Sequence, residues 1–335
     1  MKNVSQSIKL TYKFIIGAAI LLVSFTAAMA LGAADIGIKE VWSAIFAVET
    51  NESNSIIREI RLPREVAAVA VGAALGVSGA VMQGLTRNPL ADPGLLGLTA
   101  GANAALAFTL AFLPYANYFI IMIACFIGAS LGAVLVFGLS AAKKGGFSHL
   151  RIVLAGAAVS AFLYAVAEGI GLYFKISKDV TMWTAGGLIG TTWSQLNIVV
   201  PFIALGTLIA FALSKQLTIL SLNDELAVGL GQNVARVKGI LFVVTTLLAG
   251  ASVALVGNLA FIGLMIPHIV RAFIGTDYRF ILPMSALIGA SFMLWADTLG
   301  RTINMPYETP VAAIISILGL PFFIFIVNKG GRAFS

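Results

Sequence analysis

Residues 239–274 read GILFVVTTLLAGASVALVGNLAFIGLMIPHIVRAFI, and His268 and Arg271 are the only ionisable side chains among them. A helix needs about 20 apolar residues to cross the hydrocarbon core of a bilayer. The run is therefore one long tilted helix or two short ones, with Gly257 and Asn258 as the candidate break. The whole chain has the same character. Of its 335 residues, 59% are hydrophobic and 10% charged, against about 25% charged in soluble domains. So few charges could not cover the surface of two or three soluble domains. Divided into spans instead, the apolar residues supply about ten helices. The expectation is an all-α polytopic membrane protein, organised as one transmembrane domain over 1–335. A bilayer then accounts for the net charge of +7 without any nucleic-acid ligand.

Uncharged runs predict helices near 14–34, 66–85, 94–113, 118–142, 152–174, 193–213, 239–256, 259–274, 281–299 and 308–327. Gly, Pro, Asn and charged residues punctuate them, as at Arg87-Asn88-Pro89, Lys143 to Gly146 and Met305-Pro306. The first run follows Lys2, Lys9 and Lys13 and ends near Ala28-Met29-Ala30, which resembles a signal-peptide cleavage site. It is longer than the 7–15 residues of a signal core, so it is expected to stay as a helix. Cytoplasmic segments carry an excess of Lys and Arg. With ten helices and both ends inside, 14 of the 21 basic residues are inside, and residues 39, 58, 61, 64, 175, 178 and 301 are the 7 outside. Fusing 239–274 into one helix reverses everything after it and erases the bias. Ten helices with cytoplasmic termini is the resulting expectation.

Three segments are too long or too patterned for plain turns: an external stretch 35–63, an external half-helix 178–192 and a cytoplasmic segment 214–238. Connecting segments of this kind tend to carry function. In the first, Arg58, Arg61 and Arg64 flank Pro63. They read equally as headgroup anchors with snorkelling side chains or as a docking site for an acidic partner, since guanidinium pairs with carboxylate through two hydrogen bonds. In the third, Asn223 or Asp224 can cap a helix that Gly229 and Gly231 interrupt, and a second helix begins near Asn233. This segment rests on the membrane or meets a partner; the acidic pair Asp224-Glu225 speaks against the first, because membrane-resting helices are usually rich in Lys and Arg. Gly72/Gly76 and Gly128/Gly132 are helix-packing faces by default, and Arg87 to Asp92 reads as a capped turn.

Ionisable residues inside spans are costly and are functional candidates. Asp297 has Arg301 one turn away. Glu168 has no local partner and is a candidate for lining a water-filled path, whereas His268, after Pro267, reads as structural. One cysteine, Cys125, and two distant histidines, His149 and His268, do not make a metal cluster. The chain lacks the Gly-rich ATP-binding loop, His-Glu-x-x-His and Gly-x-Ser-x-Gly. The sequence therefore points away from an enzyme.

Further segments stand in a fixed order: Arg61-Leu62-Pro63-Arg64, Gly72 through Gly84, Asn88 to Gly97 (NPLADPGLLG), Ala227 to Gly231 (AVGLG), Phe261 to His268 (FIGLMIPH), Ala296-Asp297 to Arg301, and Ile317 to Phe322 (ILGLPF). Together, over nearly the whole chain, they resemble the FecCD-type permeases of binding-protein-dependent ABC importers, the family of iron-siderophore, haem and cobalamin permeases. The resemblance implies a second permease subunit, identical or related, enclosing one path with this chain in a bacterial cytoplasmic membrane. It also implies two ATP-binding subunits, which hold ATP and magnesium, and an external substrate-binding protein; this chain would hold no cofactor. By the same resemblance Arg61, Arg64 and Arg301 face acidic residues of the binding protein. Asp224, Glu225, Leu226, Gly229, Leu230 and Gly231 belong to the coupling segment that meets the ATPase, and the half-helix with Met182 and Trp183 stands beside the pathway, where Glu168 is the further candidate. Ferric siderophores are the expected cargo, with haem or cobalamin as the alternative. An ion-coupled secondary transporter would need midplane carboxylates, of which Glu168 is the free candidate, and a channel or scaffold subunit would need no external arginine cluster.

Overall fold

In a bilayer the backbone must satisfy its own hydrogen bonds, and a helix does so within one segment. The computed structural model describes residues 2–31, 37, 41, 52–94, 97–141, 149–184 and 187–330, and its regular elements are all helical. In chain order the described helices are α1 (Lys2–Ala30), α2 (Glu52–Ile56), α3 (Leu62–Thr86), α4 (Leu98–Phe112), α5 (Tyr118–Ala141), α6 (His149–Tyr173) and α7 (Ser177–Thr184). They continue as α8 (Trp193–Ala212), α9 (Ser214–Leu220), α10 (Asp224–Gly229), α11 (Val234–Val256), α12 (Ile262–Ile274), α13 (Tyr278–Thr302) and α14 (Val311–Gly330). Among the described residues eight helices are long and apolar enough to cross a membrane, and α4 and α12 are shorter apolar helices. Most of the expected external stretch 35–63, Lys143 to Gly146, Leu95, Leu96 and Gly186 lie outside the described residues.

The run 239–274 is broken where Gly257 adopts φ +74° and ψ −152°, a conformation open to glycine alone at low cost. As one helix the run would separate its ends by about 54 Å. Instead α12 returns towards the start of α11. Lys13 on α1 donates to the carbonyl of Phe273 at 2.5 Å. Just beyond α12, Asp277 accepts from the Thr218 hydroxyl at 3.1 Å, beside the segment that leads into α11.

Helix α3 is the central element and packs on α13, α11, α12 and α8, while α4 packs on α5 and α6. Small residues make this possible. A methyl group on Gly72 would meet the backbone of Gly289, and one on Gly79 would meet that of Gly263. Gly101 stands in the same relation to Gly128. The two glycine pairs expected to pack helices therefore do so, Gly72/Gly76 against α13 and Gly128/Gly132 against α4. The turn after α3 is capped as expected. Arg87 takes a left-handed conformation (φ 51°), Asn88 Oδ1 accepts from Leu90 N at 3.0 Å, and Asp92 Oδ1 accepts from Gly94 N at 2.7 Å.

Candidate functional site

At one end of the bundle six charged side chains meet. Pro63 lacks the N–H of the ordinary helical ladder, and directly before α3 the hydrogen bonds shift register into a π turn over Ile57–Arg61. Leu62 N bonds Ile57 O across that turn. Arg61, Arg64 and Glu65 thereby enter the bundle together. Arg64 grips Asp297 with two hydrogen bonds, Nε at 2.8 Å and Nη2 at 2.9 Å. It grips Glu308 with two more, both at 2.9 Å. Arg301 pairs with Glu65 and donates to the Ala28 carbonyl at 2.7 Å, and its Nε stands 3.5 Å from Asp297. Arg61 donates to the carbonyls of Met29 and Ala30 at 2.6 and 3.2 Å, closing the C-terminal end of α1. Three arginines balance three carboxylates. The cluster ties α1, α3, α13 and the α13–α14 connection into one node.

All three arginines expected to face the binding protein sit in this node and are mostly covered within the single chain. Arg61, Arg64 and Arg301 are only 6%, 9% and 7% exposed, and Asp297 is fully buried. The expected pair of Asp297 with Arg301 is present, at 3.5 Å, but the two-pronged partner of Asp297 is Arg64, 233 positions away. Glu65 and Glu308 were not foreseen. Glu65 carried a weak signal, one helical turn from Arg61 beside an apolar run, whereas Glu308 sits in a connection with no periodicity to read. Glu308 is half-exposed, and the hydrogen bond from Arg64 holds its carboxyl below the usual glutamate range.

At the other end lies the 214–238 segment. Asn223 caps α10 by accepting from Glu225 N at 3.0 Å, Gly231 takes φ +78°, and Asn233 caps α11 by accepting from Arg236 N at 3.0 Å. Both helix starts fall where the sequence put them. The two acids of α10 have different surroundings. Asp224 turns back to Arg87 at 2.5 Å and Lys238 at 2.6 Å. Burial opposes its ionisation, but Lys238 and Arg87 outweigh that and hold its carboxyl below the usual range. Glu225 is exposed, as are Leu226, Gly229, Leu230 and Gly231, and Ala227 alone of α10 is buried. Leu222, Leu226, Val228 and Leu230 are all more than half exposed. A short helix with its apolar side chains turned outward has the build of a contact surface.

The third group is split. Glu168 lines a cleft of about 370 Å³ together with Asn103, Tyr164, Ser177 and Thr181, between α4, α6 and α7. Tyr164 accepts from Asn258 Nδ2 at 2.6 Å, which ties the cleft to the break between α11 and α12. Met182, on α7, is exposed. Trp183 stacks on Tyr118, with ring centroids 6.3 Å apart, and is not among the residues that line this cleft. His268 packs edge-on against Phe322, in keeping with a structural role. Among the described residues no group of His, Cys, Asp and Glu could hold a metal ion.

Comparison with known proteins fits this layout. Residues 20–329 match the FecCD transport family. The chain is 42% identical to the iron(3+)-hydroxamate import system permease protein FhuB of Bacillus subtilis (strain 168), over 95% of this chain and 83% of that protein. It is 38% identical to the hemin transport system permease protein HmuU of Yersinia pestis, over 90% of this chain and 92% of that protein. A solved metal-chelate type ABC transporter in an inward-facing conformation superposes with a TM-score of 0.80 at 25% identity, covering 95% of this chain and 99% of that one. These matches replace the ion-coupled and scaffold alternatives with a multi-pass transport subunit of an ABC transporter, in which ATP is hydrolysed on separate subunits. Its fold, its ordered motifs and a match over nearly its full length show that the chain belongs to the FecCD transport family.

Proposed function

We propose that this chain is the permease subunit of a bacterial ATP-driven importer of ferric siderophores in the cytoplasmic membrane. The observation that carries the cargo is the 42% identity with a ferric hydroxamate permease over 95% of the chain. A permease for Fe(3+)-citrate, also from Bacillus subtilis, is 38% identical over 95% of this chain and supports the same class of cargo. Haem is the second reading, favoured by the similarity to the hemin permease.

In this reading two permease subunits enclose the path, and a loaded external binding protein docks over the node of Arg61, Arg64 and Arg301. Two ATP-binding subunits meet the exposed face of α10. Closure on ATP moves α10, and Asp224 passes that movement to Arg87 at the end of α3 and to Lys238 in the first turns of α11. The 178–192 element and Glu168 flank the path. The ligand crosses chemically unchanged, so this subunit needs two conformations of different affinity and no catalytic group. The test is uptake of radio-iron-labelled ferric hydroxamate, ferric citrate and haem by a deletion strain and its complemented counterpart. ATP-dependent uptake of a ferric siderophore, restored by complementation, is the expected result. Restored uptake of haem alone moves the cargo to the second reading, and uptake that persists on an ion gradient without ATP overturns the proposal.

A further inference from the structure

A cleft of about 630 Å³ opens beside α10, and the transport cycle above uses its charged rim but not its interior. Its inner wall is apolar, from Leu85, Val134, Phe137 and Phe242, with the rings of Phe137 and Phe242 in edge contact at 5.2 Å. Its rim is cationic, from Arg87 and Lys238, which share the single carboxylate of Asp224. Two cations against one anion leave one positive charge at the rim. The levels also match an amphiphile. Lys238 and Phe242 are one helical turn apart on α11, so their Cα atoms stand about 6 Å apart along the helix axis. Val134 in the wall of the cleft and Leu131, one turn from it on α5, are exposed, a surface suited to hydrocarbon.

We propose that this cleft binds one anionic phospholipid of the surrounding bilayer, with its phosphate at Arg87 and Lys238 and an acyl chain against Phe137 and Phe242. A single phosphate charge neutralises the rim, whereas a zwitterionic headgroup brings no net charge to it. Basic pockets between spanning helices are suited to anionic headgroups on these grounds. The phosphate shares both cations with Asp224, so lipid occupancy bears on how firmly α10 is tied to α3 and α11. The site itself rests only on the chain's lying in a membrane, and its test is separate from that of the transported cargo.

The experiment is native mass spectrometry of the full-length chain, purified with the subunits that accompany it and supplied with phosphatidylglycerol or phosphatidylcholine of matched chains. One phosphatidylglycerol per chain should be retained at least about tenfold better than phosphatidylcholine, a ratio equivalent to about 1.4 kcal/mol. Arg87→Gln with Lys238→Gln should abolish that preference. Because this pair also releases Asp224, Gly239→Trp is the second variant. A side chain at Gly239 meets no neighbour, so the bulk enters the apolar part of the cleft and leaves the three charges in place; retention should again be lost. Arg279→Gln, away from the cleft, should change nothing. Equal retention of the two lipids, or retention that survives in both cleft variants, overturns the proposal. So does phosphatidylglycerol that leaves when the accompanying subunits are present, since a polypeptide would then be the occupant.

Discussion

Replacing Arg64 with methionine tests whether the six-charge node holds the bundle together. Arg64 donates four hydrogen bonds at 2.8–2.9 Å, two to Asp297 and two to Glu308. Methionine fills much of the volume but leaves Asp297 fully buried, with Arg301 Nε at 3.5 Å as its remaining cation. Removing one partner of a buried ion pair costs about 3–5 kcal/mol, because the other charge stays behind in a poor solvent. The comparison variant is Asp224→Asn, which breaks ion pairs whose partners are more than a third exposed, where about 0–1 kcal/mol is at stake. Thermal unfolding of the purified full-length protein in detergent, followed by loss of the monodisperse chromatographic peak, reads both. Arg64→Met should melt several degrees lower and Asp224→Asn close to the parent. Adding Asp297→Asn and Glu308→Gln to Arg64→Met removes the stranded charges and should recover much of the loss. Parental melting of Arg64→Met, or no recovery in the triple variant, would refute the reasoning. An acidic replacement of Arg64 therefore cannot report docking alone, because it puts a fourth carboxylate where three already need cations.

Other outcomes follow from the same structure. Gly79→Leu should prevent correct assembly, because even a methyl there meets the Gly263 backbone and overpacking costs about 1–3 kcal/mol or more; the proportion of aggregate after extraction measures it, and a monodisperse variant would contradict the packing. Asp224 is held below its ordinary value in the folded chain, so its ties contribute fully above about pH 4 and weaken as pH falls through the depressed value. A fluorophore on Leu226→Cys should accordingly show unchanged α10 mobility from pH 7 to about pH 5 and a rise only at more acid pH; Cys125 is buried and should not take the label. Leu226→Asp with Leu230→Asp should leave folding intact and cut substrate-stimulated ATPase activity of the assembled transporter, whereas full coupling would place the ATPase contact elsewhere.

The sequence made the spans readable because a bilayer imposes one rule on every residue it touches, and runs without charge reveal it directly. The break at Gly257 was readable only in part, since charge bias favours two helices without fixing where the chain turns. The caps at Asn223 and Asn233 were legible because capping is a local matter of one side chain and a backbone two or three residues on. The arginine node was not. Which acids meet Arg64 depends on contacts 233 and 244 positions apart, and no local spacing encodes them. The same limit separated Asp224 from Glu225, adjacent in sequence and alike in charge, because only the position of Arg87 and Lys238 distinguishes an anchored carboxylate from an exposed one.

The balance of charge in the node changes what docking would require. Three arginines assigned to the external face looked like surplus positive charge, yet Glu65, Asp297 and Glu308 neutralise them. An acidic partner cannot be drawn to a net charge that is not there; it must exchange with a carboxylate already in place. Glu308 is the one that can leave, since its side chain is 34% exposed whereas Asp297 and Glu65 are fully buried. A carboxylate from the binding protein could take over its two hydrogen bonds to Arg64 without adding a buried charge. Glu308→Gln removes the competing anion and leaves one acceptor for Arg64, so it should tighten binding-protein affinity. A charged hydrogen bond contributes about 1.5–3 kcal/mol, and loss of even half the smaller figure as competition gives a severalfold gain. Surface plasmon resonance of the binding protein on the nanodisc-embedded transporter measures it, with Glu225→Gln at the opposite end as the control. Weaker binding in Glu308→Gln would show that Glu308 itself faces the partner and that Arg64 stays an internal strut throughout.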